Sequence, residues 1–235
     1  MFGIAKINSI AKFAAAAGRS ALSITNVNSV TVSTTQSKFG GASAYYDGTA
    51  AKRLHLASGT NIIGTAFTHE CWVYLTNLSF QNQIITQDDG ASGAQGSQFR
   101  VRTNGTVDFV YWTSSSRASA LLLNSTGTIS LNTWTHVAAV WTGSTLTIYK
   151  NGTSIGSTSV ASMYQSTAAF AIGGFYNNAS DPYIGYIDEV RISNNARYTT
   201  TFTPSTSAFT NDANTIFLMH ADGTNGSTTF TDDNA

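Results

Sequence analysis

The sequence predicts an all-β protein, an antiparallel β-sandwich with a short N-terminal helix, on three observations. Ser, Thr, Gly and Asn are abundant while Pro is rare, with 20 glycines against 2 prolines in 235 residues, so turn formers are frequent and helices have few places to start. Short apolar runs recur between Gly, Asn, Ser and Thr clusters, at the spacing of strands. The third observation is one stretch, residues 132–152, NTWTHVAAVWTGSTLTIYKNG. Its first strand places Trp134, His136, Ala138 and Val140 on one face and Thr135, Val137, Ala139 and Trp141 on the other, so both faces need cover. Its second strand sets Leu146 and Ile148 against Thr145, Thr147 and Tyr149, and Asn151-Gly152 supplies the positive φ of a tight turn.

Composition excludes several classes. Formal net charge is zero and 10% of residues are charged, so no broad field attracts nucleic acid or anionic lipid, and no basic stripe interleaves with aromatics. Cys71 stands alone, which rules out an intrachain disulfide, and its place beside Trp72 marks it as a small buried apolar group. No apolar run approaches the roughly 20 residues that a bilayer crossing requires. The absence of a composition break favours one large sandwich over two small domains.

Taken in order, residues 1–22 stand apart. Ile4, Ile7, Ile10, Ala11 and Ala14 recur at helical spacing with Lys6, Lys12 and Arg19 between them, which predicts an amphipathic docking helix. A signal peptide is the competing reading, but Lys12 interrupts what should be its apolar core. The sandwich follows over residues 23–221. Its first strands are expected at 24–32, 42–46 and 53–56, punctuated by Gly40-Gly41 and Asp47-Gly48. Residues 65–75 alternate Phe67, His69, Cys71, Val73 and Leu75 against Thr68, Glu70, Trp72 and Tyr74, so one face lies in the core. Strands at 84–86, 99–103 and 107–112 come next, the last two joined at Asn104-Gly105. After the central hairpin come a strand at 168–173, a loop at 175–183 and a strand at 185–193. In that last strand the spacing of Ile187, Val190 and Ile192 predicts a bulge beside Asp188. Residues 194–211, with Pro204, read as an irregular crossover, 215–220 as the last strand, and 222–235 as a C-terminal tail.

Charge is uneven between the ends. Residues 1–60 hold six Lys and Arg against Asp47, whereas the last stretch holds Asp212, Asp222, Asp232 and Asp233. Either the ends meet, within one molecule or between molecules, or they are two solvated tails of opposite sign.

Four motifs in order, SKFGGASAYYDG (37–48), FTHECWVYL (67–75), NTWTHVAAVW followed by LTIYKNG, and GYIDEVRISNNARY (185–198), resemble the laminin-G-like, concanavalin-A-like lectin/glucanase jelly-roll domains of bacterial and phage type. The resemblance covers residues 24 to the C-terminus and implies a jelly-roll sandwich. It also implies a structural calcium ion held by Asp222, Asp47 with the Gly48 carbonyl, and Asp188. In the competing reading Asp47 and Asp222 only serve Asp-Gly turns, and Asp188 pairs with Arg191 or Arg197. One departure stands out: the apolar strand and DGTNGS-like turn that open such domains occur here at the C-terminus, as FLMHADGTNGSTTFTDDNA. That places either a truncated tandem array, or a C-terminal strand that completes a sheet of its own domain or of a neighbour by strand exchange.

Glycoside hydrolysis needs two carboxyl groups at one place. The chain has two glutamates, Glu70 and Glu189, no Glu-x-Asp cluster, and an adjacent Asp188 and Glu189 that point to opposite faces, so no enzyme activity and no catalytic residue is expected. His69 and Cys71 share a face but read as core, His136 reads as a hydrogen-bonded structural histidine, and His55 and His220 have no partner at zinc-ligand spacing. Sugar rings stack on aromatic faces while Asn, Asp and Gln bond their hydroxyls. The candidates are Tyr111 and Trp112, the cluster Phe175, Tyr176, Asn177, Asn178, Asp181 and Tyr183, and the polar loop with Gln87, Asp88 and Asp89. Each alone reads as an ordinary loop or core residue, and only the 175–183 cluster exceeds that background. The expected function is a non-enzymatic surface protein of a bacteriophage virion, a capsid decoration or fibre adhesin. It would contact other virion proteins or its own copies through residues 1–22 and the tail, and bind host glycans. The alternative is a soluble carbohydrate-binding lectin-type domain of a bacterial surface protein, located outside the cell.

Overall fold

A computed structural model of the chain describes residues 20–49, 52–56, 64–88, 95–166, 168–177 and 179–234. The helix expected at 1–22 falls almost wholly outside the described residues, and the three described ones, Ser20, Ala21 and Leu22, are not helical.

The described residues form an antiparallel β-sandwich. The strands, in chain order, are β1 (Ile24–Val27), β2 (Thr31–Ser33), β3 (Ser43–Asp47), β4 (Arg53–Leu56), β5 (Phe67–Leu75), β6 (Asn82–Thr86), β7 (Ser97–Val101), β8 (Thr106–Trp112), β9 (Ala120–Thr128), β10 (Thr135–Trp141), β11 (Thr145–Lys150), β12 (Thr153–Ser159), β13 (Ala171–Ile172), β14 (Ile184–Ser193) and β15 (Thr215–Met219). A seven-stranded sheet runs β1-β4-β13-β6-β7-β8-β9. An eight-stranded sheet runs β12-β11-β10-β5-β14-β3-β2, with β15 on the β3 side of β14.

The core fills the space between the sheets. Phe67, Cys71, Val73 and Leu75 of β5 and Val137, Ala139 and Trp141 of β10 meet Ile85, Phe99, Phe109 and Tyr111 of the other sheet. Alternation does this work: successive side chains leave opposite faces, so each strand gives every second residue to the core. The single expected strand at 24–32 is two strands in different sheets. Asn28 and Ser29 break it with φ of 60° and 62°, and Asn26 brackets the turn by hydrogen bonds to the backbone N–H and C=O of Val30. Sequence reading missed β9 and β12, two edge strands rich in Ser, Thr and Gly.

The expected bulge is present and has a structural use. Register shifts between Asp188 and Arg191, where Glu189 takes φ 55°. One edge of β14 stays on β5 while its other edge changes partner, from β3 over residues 184–187 to β15 over residues 190–193.

The outer face of the eight-stranded sheet is covered by the segment after β14. Ala196, Tyr198 and Phe202 pack on Ala138, Val140 and Tyr149, and Phe209 packs with Trp72 and Leu218. The tail returns to its own domain. Val32 donates its N–H to the Ser227 carbonyl and accepts from Gly226, both at 2.8 Å, while the Asp232 carboxylate accepts from Leu22 at 2.7 Å and Leu218 at 3.1 Å.

Candidate functional site

In β8, Phe109 and Tyr111 face the core, which turns Asp108, Val110 and Trp112 to the outer face of the seven-stranded sheet. Register aligns a polar row there, with Gln83 opposite Arg100 and Arg100 opposite Asp108. A hydrogen-bonded chain crosses it. Arg117 donates to Asp88 at 3.1 Å, Gln98 to Asp88 at 2.6 Å, Arg100 to Gln98 at 3.1 Å, and Arg100 Nε to Asp108 at 2.7 Å. Asp88, Asp108 and Gln83 are fully buried, so this row is a floor. Neither amide atom of Gln83 has a hydrogen-bond partner among the described residues, which leaves a donor and an acceptor unused there where such groups are normally satisfied.

The rim is aromatic and accessible. His55 of β4 stacks on Tyr176, with ring centroids 4.2 Å apart and planes 28° apart. Arg53 Nε donates to His55 Nε2 at 2.8 Å and to the Tyr176 carbonyl at 3.0 Å. Burial and then the Arg53 charge push the imidazole down to about 4, so His55 is neutral at pH 7, as an acceptor from a guanidinium must be. His55 and Tyr176 are half-buried and Asn177 is exposed.

Of the sequence-predicted ligand residues, Tyr176 and Asn177 thus lie on or beside this face, while Trp112 points to it by parity but is buried at 2% exposure. Asp181, partly exposed, takes φ 53° in the following turn. Asn178, like Asp89 of the polar loop, lies outside the described residues. Three expectations need correction. Tyr111 belongs to the core by the same parity as Phe109. Tyr183 is fully buried with its ring 5.5 Å from Tyr46 and its hydroxyl donating to the Tyr186 carbonyl, and Phe175 is 7% exposed. Tyr111 and Tyr183 supply packing area that the sandwich core needs. Sequence reading missed Arg53, His55, Gln83, Arg100 and Asp108. The alternation Gln98, Arg100, Arg102 against Phe99 and Val101 was a usable signal for a polar outer row.

The metal set is divided. Asp188 is fully buried. Its Oδ2 accepts the Lys38 and Phe39 backbone N–H groups at 2.7 and 3.2 Å, while Oδ1 has no partner among the described residues. Burial pushes its carboxyl up to about 7. Asp222 lies against the same loop, for a Cβ on Gly40 would collide with its carboxylate, and burial raises its carboxyl too. Asp47 instead pairs with Lys52 at 2.9 Å and accepts from Thr49, opposite Ile184 and about 13 Å along β14 from Asp188. Asp47 and Gly48 therefore do not join Asp188 and Asp222. The competing pairing of Asp188 also fails, since Arg191 binds Glu70 and Arg197 binds Asp212, each at 2.8 Å. Among the described residues no three His, Cys, Asp or Glu side chains are grouped to hold a metal. Asp188 and Asp222 lie against one loop and offer carboxylate oxygens, the ligand type that calcium takes.

Residues 47–201 match the family model of the concanavalin A-like lectin/glucanases superfamily. The chain belongs to this superfamily. Solved structures share its sandwich at low identity. A Bacteroides ovatus protein assigned as carbohydrate-binding is 15% identical with a TM-score of 0.56, over 86% of this chain and 51% of that one. This superfamily member therefore spans about half the length of that protein. Domain 4 of an extracellular arabinanase from Geobacillus stearothermophilus, solved with arabinotriose, is 17% identical with a TM-score of 0.55, over 74% of this chain and 82% of that one. Tailspike protein 2 of bacteriophage CBA120, in its enzymatically active domain, is 12% identical with a TM-score of 0.56, over 77% of this chain and 30% of that one. At such identities the likeness is one of fold. A search of curated proteins finds no match. No helix among the described residues is long and apolar enough to cross a membrane.

Proposed function

We propose that this superfamily member is a non-enzymatic glycan-binding protein of a bacteriophage virion surface, acting as a capsid decoration or fibre adhesin module. The carrying observation is the stacked His55–Tyr176 pair beside exposed Asn177, at the rim of a polar sheet face whose Gln83 amide is unused. A sugar ring lays its C–H face on an aromatic ring and bonds its hydroxyls to amides and guanidinium groups, and this rim offers both. Against hydrolysis, Asp88 and Asp108 on this face are each held by an arginine, and Glu70 and Glu189 belong to the opposite sheet. The tailspike likeness supports the virion setting only at the level of fold. A glycan array of bacterial surface polysaccharides tests the reading: the protein should bind a defined glycan and Tyr176→Ala should weaken binding at least tenfold, whereas a blank array counts against it.

The arabinose-oligomer complex of the arabinanase domain favours a second reading, a lectin-type domain of a bacterial surface protein. Both readings use the same rim, and co-sedimentation of the protein with phage particles separates them. A structural calcium ion held by Asp188 and Asp222 belongs to the proposal and rests on the unused Asp188 Oδ1. Calorimetric titration of chelator-treated protein with calcium tests it, no heat and no thermal shift counting against it.

A further inference from the structure

The segment that covers the eight-stranded sheet leaves one part of it open. There a pocket of about 400 Å³ is lined by Lys38, Phe39, Trp72, Trp134, Asn151 and the turn at 204–206. Trp72 points outward from β5 by the alternation that sends Cys71 and Val73 inward, and at 6% exposure it is the pocket floor. Phe39 meets it edge-on, with centroids 6.0 Å apart and planes at 86°. Trp134, just ahead of β10, is partly exposed and forms a wall. Asn151 of the hairpin turn and Ser205 and Thr206 place amide and hydroxyl groups around the mouth.

Lys38 is the distinctive member. Its backbone N–H is pinned by Asp188, and its ammonium stands 3.9 Å from the centre of a Trp72 ring and 5.3 Å from that of Phe39. Among the described residues no carboxylate pairs with this ammonium, and the aromatic faces of Trp72 and Phe39 meet its charge. The indole N–H of Trp72 is buried with no acceptor among the described residues. A cation fixed at the wall of a small aromatic pocket is a receptor for an anion that also carries an apolar face.

We propose that this pocket binds an acidic sugar residue, a pyranose bearing a carboxylate. The carboxylate pairs with Lys38, the C–H face of the ring stacks on Trp134, and the hydroxyls meet Asn151, Ser205 and Thr206. Two indoles with a polar mouth fit a ring that is apolar on its face and hydroxylated on its edge, which an acidic peptide side chain is not. The volume lies within the usual range for small-ligand sites, roughly 300–1,000 Å³. The site is on the opposite sheet from His55 and Tyr176 and shares no residue with them, so it stands or falls separately from the function proposed above.

The test titrates the full chain with trigalacturonate, a hyaluronan tetrasaccharide and sialyllactose, following tryptophan fluorescence and isothermal heat. At least one should bind saturably. Lys38→Gln should weaken it tenfold or more with an unchanged melting temperature, Trp134→Phe should remove most of the fluorescence change, and Tyr176→Ala should leave binding intact. Four outcomes overturn the proposal: no saturable binding by any of the three acids, equal binding by Lys38→Gln, equal binding of a neutral trisaccharide, or equal binding of triglutamate, which would make this an acidic-peptide site.

Discussion

Arg191 Nε donates to Glu70 Oε1 over 2.8 Å, directly across the β5–β14 register on the outer face of the eight-stranded sheet. The other oxygen of Glu70 accepts the Tyr198 hydroxyl at 2.8 Å and faces His136 Nε2 at 3.2 Å, which places the imidazole proton on Nε2. Burial alone would raise the Glu70 carboxyl, but the His136 hydrogen bond and the Arg191 charge hold it below its ordinary value. The crossover seals this cluster from water, so an ion pair is tolerated here only because every oxygen of the carboxylate is satisfied.

Glu70→Ala removes the shared acceptor and strands Arg191 and Tyr198. We expect a loss of about 3 kcal/mol in denaturant unfolding. Glu70→Gln should cost less, because an amide oxygen still accepts. Equal stability of the alanine variant and the parent would show that the cluster is not sealed.

Asp188 should make stability fall with rising pH. Its folded value near 7 lies above the ordinary 3.8, so between about pH 4 and 7 the folded state keeps a proton that the unfolded state has lost. The contribution is therefore full below pH 4 and gone above pH 7. In chelator, Asp188→Asn should melt higher than the parent at pH 8 and lose that advantage at pH 4. A lower melting temperature of the variant at pH 8 would contradict this, and in calcium the order should reverse if the ion is bound.

His69 acts in the opposite sense. Its ring is stacked on Phe67 at 4.5 Å and lies 5.5 Å from Phe170, neither nitrogen has a partner among the described residues, and burial pushes it down to about 3 from 6.5. Below pH 6.5 the unfolded state takes up a proton that the folded state refuses, so stability is full above 6.5 and declines as pH falls toward 3. His55 adds to the same trend from its value near 4. The stability of His69→Leu relative to the parent should rise as pH falls from 7 to 4; a constant difference would refute the assignment.

Deleting residues 222–235 removes Asp232 from Leu22 and Leu218 and uncovers the Val32 edge of β2. The melting temperature should fall by several degrees, since a domain of this size loses roughly 2–4 °C per kcal/mol, and the bared edge should promote association. Unchanged melting and mass would mean that the tail contributes nothing.

The family resemblance implies four calcium-ligand positions, and the structure brings two of them against one loop. Asp188 and Asp222 meet because the loop after β2 folds over both, whereas Asp47 is captured by Lys52 nearby in the chain. The ligand cluster was legible as an aromatic loop, but which of its members face water was not. Tyr176 faces the rim and Tyr183 the core because β14 begins at Ile184 and commits the residue before it to packing on Tyr46.

By itself the sequence determined the sandwich, its central hairpin, the β14 bulge and the place of Cys71 in the core, because alternation and turn chemistry are local and repeat along the chain. Tertiary structure alone decided which strands are neighbours, that residues 24–32 divide between two sheets, and that the 194–211 crossover seals Glu70. It also brought Arg53, His55 and Tyr176 to one rim and Lys38, Trp72 and Trp134 to one pocket. The physical reason is register: strands far apart in the chain are placed side by side by hydrogen-bond pairing and burial, and no local pattern records which partner each will take.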